Sequence, residues 1–472
     1  MSAIITTPIT RRLMLKRAAQ LGALGAAAPL AMNLAAMGEA AAAATSGEED
    51  YKALVCIFLL GGNDHANTLV PYDVANYGRY LNIRGAISYR HDDLTPTLLA
   101  PRAPQALTDH LQYAFAPQLP RFKVLFDGGK MAVQLNVGPL VTPVTRAQYD
   151  GNNRALYPLP PKLFSHNDQT SVWQADGSEG ATIGWGGRFG DLALSGNGHA
   201  LLTCISAAGN AVFVSGENAL QYQISPSGAI PVNPIRRPLY ASDAIGEALH
   251  QLITQPRPHH HFENELSIVA RRSIEMEGVV NGALRGVTMN TSFDLVPGAN
   301  ELADQMKIVA RLIGARRALG SRRQIFFVSL GGFDTHSALA LKHAELLTKV
   351  DEAVAAFYMA TVELGVADKV TAFTASDFGR TLVNNGDGSD HGWGSHHFVI
   401  GGAVRGGRFY GTAPHISIDS DDQVGQGRLL PSTATDQYAA TLAHWFGVPD
   451  SALRTILPNI GNFNGANLGF LT

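Results

Sequence analysis

Asp334-Thr335-His336 sets a carboxylate and an imidazole two residues apart, directly after Gly331-Gly332. Both side chains are metal-ligand types, and neither is needed for a turn that the two glycines make alone. The densest run of such donors is Asp387-Gly388-Ser389-Asp390-His391-Gly392-Trp393-Gly394-Ser395-His396-His397, with three histidines and two aspartates among glycines. Neutral imidazole with carboxylate suits zinc or a similar divalent ion. Asp64 follows Gly61-Gly62, and Asp377 opens Asp377-Phe378-Gly379-Arg380. The plain alternatives are an Asx turn at Asn63-Asp64, a hydrogen-bonded Asp334 and His336 pair, and a solvated 387–397 loop. His259-His260-His261 follows Pro256-Arg257-Pro258 and reads as a surface loop leading a helix.

Other chemistries lack their patterns. Asp377-Phe378-Gly379 matches the magnesium string of protein kinases, but no Gly-rich loop, strand lysine or catalytic-loop pattern accompanies it. There is no Gly-x-Ser-x-Gly elbow and no Walker phosphate loop, and Gly184, Gly186, Gly187 and Gly190 do not make a dinucleotide fingerprint.

The elements that must hold these donors are legible nearby. Apolar runs 53–60, 131–137, 324–330 and 369–375 each end in a tight, glycine-containing turn, and their continuous apolar character predicts strands buried on both faces. Leu302, Met306, Val309 and Ile313, and then Leu347, Val350, Val354 and Phe357, form helical stripes. A further helix is expected from Ser432 or Thr433 to Phe446, with Gly447 as its stop. Strands alternating with helices predict an α/β fold with a doubly wound, mostly parallel sheet, whose ligands bind at the carboxyl ends of the strands. Residues 85–125 read as a long connection, and 180–235, with a β-type run at 211–214, as a small antiparallel insertion. Because the candidate donors come from both ends of the chain, one domain over 45–472 is expected.

Only 16% of the 472 residues are charged, against about 25% in a typical soluble domain. A net charge of −3 disfavours nucleic acid as a partner. Residues 1–44 combine Arg11-Arg12, Lys16 and Arg17 with a weakly apolar stretch and an alanine run. This is the pattern of a twin-arginine signal peptide, so the export machinery is an expected partner and the mature chain is expected in the periplasm or outside the cell. Without that segment, which carries four cations and Glu39, the net charge moves from −3 to −6. No later apolar run suits a membrane span, and Cys56 and Cys204, both in apolar runs, read as buried free thiols.

The ordered set Leu60-Gly61-Gly62-Asn63-Asp64, Asn67-Thr68-Leu69-Val70-Pro71-Tyr72, Leu163-Phe164-Ser165-His166-Asn167-Asp168-Gln169, Gly331-Gly332-Phe333-Asp334-Thr335-His336, Ser376-Asp377-Phe378-Gly379-Arg380-Thr381 and Asp390-His391-Gly392-Trp393-Gly394 resembles the exported bacterial family known as domain of unknown function 1501. That family looks like a branch of the alkaline phosphatase and sulfatase superfamily. The resemblance implies a two-metal site, with Asp64 as the early aspartate, Asp334 and His336 as the middle pair, and Asp377 as the later aspartate. His391, His396 or His397 would supply the last histidine, and Asp390 joins the candidate ligands. Phe378 stands where that superfamily has a further histidine. The implied metal is divalent, zinc first, with calcium, magnesium or manganese as alternatives. Ser165 is the candidate nucleophile, with Thr68 second, and Arg380 the candidate anion clamp. The expected function is hydrolysis of a small phosphoric or sulfuric ester. The alternatives are a degenerate, non-catalytic protein that binds a metal or a cell-envelope component, and a polysaccharide-modifying enzyme.

Overall fold

The computed structural model describes residues 50–236 and 243–472, and the signal segment expected over 1–44 lies outside them. The chain builds β1 (Lys52–Leu59), β2 (Met131–Gly138), β3 (Cys204–Ser206), β4 (Arg323–Leu330) and β5 (Val370–Ser376). A small antiparallel hairpin of β6 (Arg380–Asn384) and β7 (Ser389–His391) comes next, and then β8 (Ser395–Gly401). The centre of the main sheet runs β2-β8-β5-β1-β4-β3. The β5-β1-β4-β3 block is parallel, and β8 is antiparallel to both of its neighbours. This is the α/β, mostly parallel architecture that the apolar runs predict.

β1 shows why the run is apolar on both sides. Ala53, Val55, Ile57 and Leu59 face one core, which includes the stripes of α3 (Glu301–Gly314) and α4 (Leu339–Glu363). Leu54, Cys56 and Phe58 face the other, beside α5 (Thr435–Phe446). Two further helices matter below: α1 (Val74–Arg84) and α2 (His166–Ala175). The predicted stripes of α3 and α4 are all buried. α5 begins later than expected because Thr433 and Ala434 first pair with β2, and it stops at Gly447 with φ of 104°.

Residues 180–235 are antiparallel only where Ile224 and Ser225 pair with Ala229 and Gly228. Cys204–Ser206 and Tyr222–Ser225 extend the main sheet in parallel, and Val212–Val214 is a 3-10 turn. The glycines around 184–190 serve close packing: a Cβ on Gly187 would lie 2.1 Å from the Ser215 carbonyl carbon. Cys56 and Cys204 are free and buried. Among the described residues, no helix is long and apolar enough to cross a membrane.

Candidate metal centre

Leu59 lies in register with Leu330 on one side and Ser376 on the other, so β1, β4 and β5 end at one level. The loops leaving these strands are therefore forced together. Gly61 takes φ of 115°, and an added Cβ would stand 2.3 Å from Asp334 N, so only glycine lets the β1 loop cross the β4 loop. Gly61 N–H donates to Asp377 Oδ2 at 3.1 Å, and Gly61 C=O accepts from Arg380 Nη1 at 3.0 Å.

Three imidazoles converge on this crossing. His166, the first residue of α2, donates its Nδ1–H to Asp377 Oδ2 at 2.7 Å. His391, at the end of β7, donates its Nδ1–H to Phe164 C=O at 2.7 Å. His336, after β4, donates its Nδ1–H to Asp390 Oδ1 at 3.1 Å. Carbonyls and carboxylates only accept, so each Nδ1 carries a hydrogen and each ring turns its Nε2 toward Asp334. Those Nε2 atoms lie 3.4 Å (His166), 3.1 Å (His336) and 3.3 Å (His391) from Asp334 Oδ1. The ligand atoms of His166, Asp334 and His391 all fall within 4.8 Å of one another. His336 Nε2 and His391 Nε2 face each other at 2.8 Å. At that distance the pair needs a hydrogen on one nitrogen or a cation between or beside them.

Phe164 contributes through strain. Its φ of 73° is rare for a bulky side chain, and it occurs where the backbone carbonyl meets His391 and the next turn delivers His166. Phe378 is buried with its ring 4.8 Å from that of His166 and 4.7 Å from that of His391. It forms a wall against which both imidazoles rest.

The electrostatics are uneven. The hydrogen bond and charge of Asp377 raise the His166 pKa against the effect of burial. Burial lowers that of His391, with His166 and Arg380 adding to the effect. Burial pushes Asp334 up, but the hydrogen bond and charge of Arg380 outweigh it and hold the carboxyl below its usual range. Arg380 Nη1 donates to Asp334 Oδ1 at 2.9 Å. Three carboxylates, Asp334, Asp377 and Asp390, stand against the guanidinium of Arg380 and, beside Asp390, that of Arg428, and the remaining excess of negative charge suits a cation. Donor types, ring orientations and His166 Nε2, which is buried without a hydrogen-bond partner, all fit such an ion.

Asp334, His336 and His391 therefore come together as candidate ligands, Asp377 joins them with a buried Oδ1 that has no hydrogen-bond partner while its Oδ2 accepts from His166 and Gly61, and Asp390 stands behind His336 as a hydrogen-bond partner. Asp64 is corrected. It is 1% exposed, with Oδ2 bound to Arg84 at 2.6 Å and to Ser389 Oγ at 2.9 Å, and Oδ1 accepting from Asn67 N–H at 3.0 Å. Both oxygens are used, so the two-metal set is not assembled: among the described residues the donor cluster is a single one. His396 is also elsewhere, buried in β8 with Nδ1 accepting from Asn136 N–H at 3.1 Å. Ser165 Oγ donates to Asp168 Oδ2 at 2.9 Å, and the Thr68 hydroxyl donates to the Asp64 carbonyl at 2.7 Å, so both candidate nucleophiles are engaged. Arg380 is 0% exposed and spends donors on Ser389, Gly61 and Asp334, so it positions Asp334 and is not an open anion clamp. His166 was not among the ligands read from sequence. Its signal was present in the Phe164-Ser165-His166 motif, but it lies at a helix start and not at a strand end.

A cleft of about 600 Å³ opens beside His166, Asp334 and Asp377 and runs along α2. A family model described as "Protein of unknown function (DUF1501)" matches residues 51–441. Among solved structures, Ps i-CgsB in complex with k-i-k-neocarrahexaose is 10% identical, with 88% of this chain and 77% of that chain covered and a TM-score of 0.35. A Bacteroides thetaiotaomicron structure (BT33494S-sulf), from work on metabolism of multiple glycosaminoglycans, is 12% identical, with 85% and 74% covered and a TM-score of 0.33. No curated protein matches the chain.

Proposed function

The chain belongs to the DUF1501 family, and on that premise we propose that it is an exported, metal-dependent hydrolase of a phosphoric or sulfuric ester, with an alkaline phosphatase and sulfatase-like fold. The ligands in this reading are His166, Asp334, His336 and His391, with Asp377 Oδ1 as a further candidate. The observation that carries it is the set of three imidazoles, each locked with Nδ1–H outward and Nε2 inward around Asp334 Oδ1. When bound, a divalent ion of the zinc type supplies Lewis acidity toward an ester oxygen and acidifies water. The chain's own residues orient the rings through Asp377, Asp390 and Phe164 C=O, and Arg380 holds Asp334 in place. With Ser165 and Thr68 engaged, the reading assigns the attack to water.

The engaged hydroxyls and buried Arg380 also favour a second reading, a metal-dependent binding protein for an envelope component. In both readings residues 1–44 direct twin-arginine export and 45–472 act as one domain in the periplasm or outside the cell. The test loads the mature chain with zinc, magnesium, manganese or calcium and offers aryl phosphate and aryl sulfate esters. Hydrolysis that disappears in His166→Ala and His391→Ala supports the enzyme. Bound metal without turnover favours the binding protein, and absence of bound metal overturns both.

A further inference from the structure

The wall of the cleft carries a pattern that the metal centre does not use. Asn167, Thr170, Ser171 and Gln174 line it from α2 at steps of three, one and three residues, which is one helical face. From first to last they span about 10 Å at 1.5 Å per residue. Their partners leave a mixed set of hydrogen-bonding groups. Asn167 Nδ2 donates to Glu179 at 3.3 Å, which keeps Oδ1 as an acceptor. Gln174 Oε1 accepts from Phe213 N–H at 2.9 Å, which keeps its NH₂ as a donor. Ser171 Oγ donates to Ser178 C=O at 2.8 Å and retains acceptor capacity. Acceptors and a donor on uncharged side chains, with the two-way hydroxyl of Thr170 between them, complement hydroxyl groups, which play both parts.

The charges point the same way. Among the described residues no lysine or arginine lines the cleft, and its carboxylates are Glu179, Asp334 and Asp377. Arg380 is fully buried behind Asp334 and offers nothing to the cleft. A second phosphate or sulfate group along this wall would meet Glu179 without a compensating cation.

We propose that the α2 wall binds an uncharged, hydroxyl-rich group of about disaccharide length, so that the substrate carries its reacting ester on a polyol body with no second anion beside it. This rests on the ester-hydrolase reading only for the placement of the ester at the metal centre. The experiment is saturation-transfer NMR on the mature chain with cellobiose, maltose, lactose and trehalose as neutral probes and sucrose octasulfate as the polyanion. At least one neutral disaccharide should bind, with affinity reduced at least tenfold in Thr170→Arg and retained in Thr170→Ser. Sucrose octasulfate should bind only to Thr170→Arg combined with Glu179→Gln. All three variants replace side chains at the cleft surface, and circular dichroism confirms their folding. Binding of sucrose octasulfate to the unmodified chain, or no binding of any neutral probe, overturns the proposal. Metal content measured on the same samples separates the failures. Loss of metal with intact disaccharide binding counts against the hydrolase alone, and retained metal without disaccharide binding counts against this inference alone.

Discussion

Two neighbouring strands of this molecule end in nearly the same words. β1 runs into Leu60-Gly61-Gly62-Asn63-Asp64 and β4 into Leu330-Gly331-Gly332-Phe333-Asp334, and the strands are paired in register. The two aspartates nevertheless end in opposite surroundings. Asp64 is sealed against Arg84 from α1, whereas the Asp334 side chain is 44% exposed and receives three imidazoles. The difference lies in the residues downstream of each aspartate. Asn67 N–H caps back onto Asp64, and α1 then brings a guanidinium from behind, while the β4 loop leads outward through Thr335 to His336. A carboxylate at a strand end becomes a sealed ion pair or an open, imidazole-lined donor according to the partners that other elements deliver. The two remain linked, because Asp64 accepts from Ser389 Oγ, and Ser389 Oγ accepts from Arg380 Nε at 3.0 Å, whose Nη1 holds Asp334.

The sharpest way to break the comparison is Asp64→Asn. It leaves Arg84, 0% exposed, without its counter-charge, and a buried pair broken from one side costs about 3–5 kcal/mol. Denaturant unfolding should show that loss. Asp334→Asn should cost less stability, about 1–3 kcal/mol for a hydrogen bond to a charged group, because Arg380 keeps Ser389 and Gly61. Metal titration of Asp334→Asn should instead show an affinity loss larger than the roughly 10–100-fold typical of an outer hydrogen-bond partner. Asp377→Asn tests the carboxylate that holds His166, with an expected loss of about 10–100-fold in metal affinity and little change in unfolding.

A pH-dependent effect contrasts Asp64 with a carboxylate that has no guanidinium. Burial and then the nearby Asp176 push Asp436 up to about 8. An acid whose pKa is raised by folding binds more protons folded than unfolded, so its contribution falls as pH rises from about 4 towards 8. Asp64 has the opposite sign. Burial raises it, but Arg84, His343 and His65 overcome that and hold it low, so its contribution is present above the unfolded carboxylate range and is lost in acid. Asp436→Asn should lessen the decline between pH 4 and 8, to which Asp176 and Asp351, each raised by burial to about 6, still contribute, and should raise the melting temperature at pH 8, measured by thermal unfolding across pH.

The contrast also shows what the chain discloses by itself. The strands at 53–60, 131–137, 324–330 and 369–375 and the stripes of α3 and α4 were legible because continuous or periodic apolar residues record local burial. The Asp334, His336 and His391 part of the centre was legible because those donors sit at strand and hairpin ends. Asp64 misled, since nothing around it in sequence announces Arg84, which lies twenty residues on and is brought back only by packing. His166 was hidden for a related reason: its place depends on the left-handed backbone at Phe164 and on Asp377, 211 residues away. Val212–Val214 has strand composition and becomes a turn because the glycines of the preceding helix let it approach the backbone directly.

Elemental analysis of the purified protein, after loading with zinc and exhaustive dialysis, decides whether the imidazole cluster holds an ion. One divalent ion per chain is predicted, lost in His166→Ala and in His391→Ala and kept in His396→Ala. An ion that survives both of the first two substitutions, or no retained ion in the unmodified chain, would contradict the account.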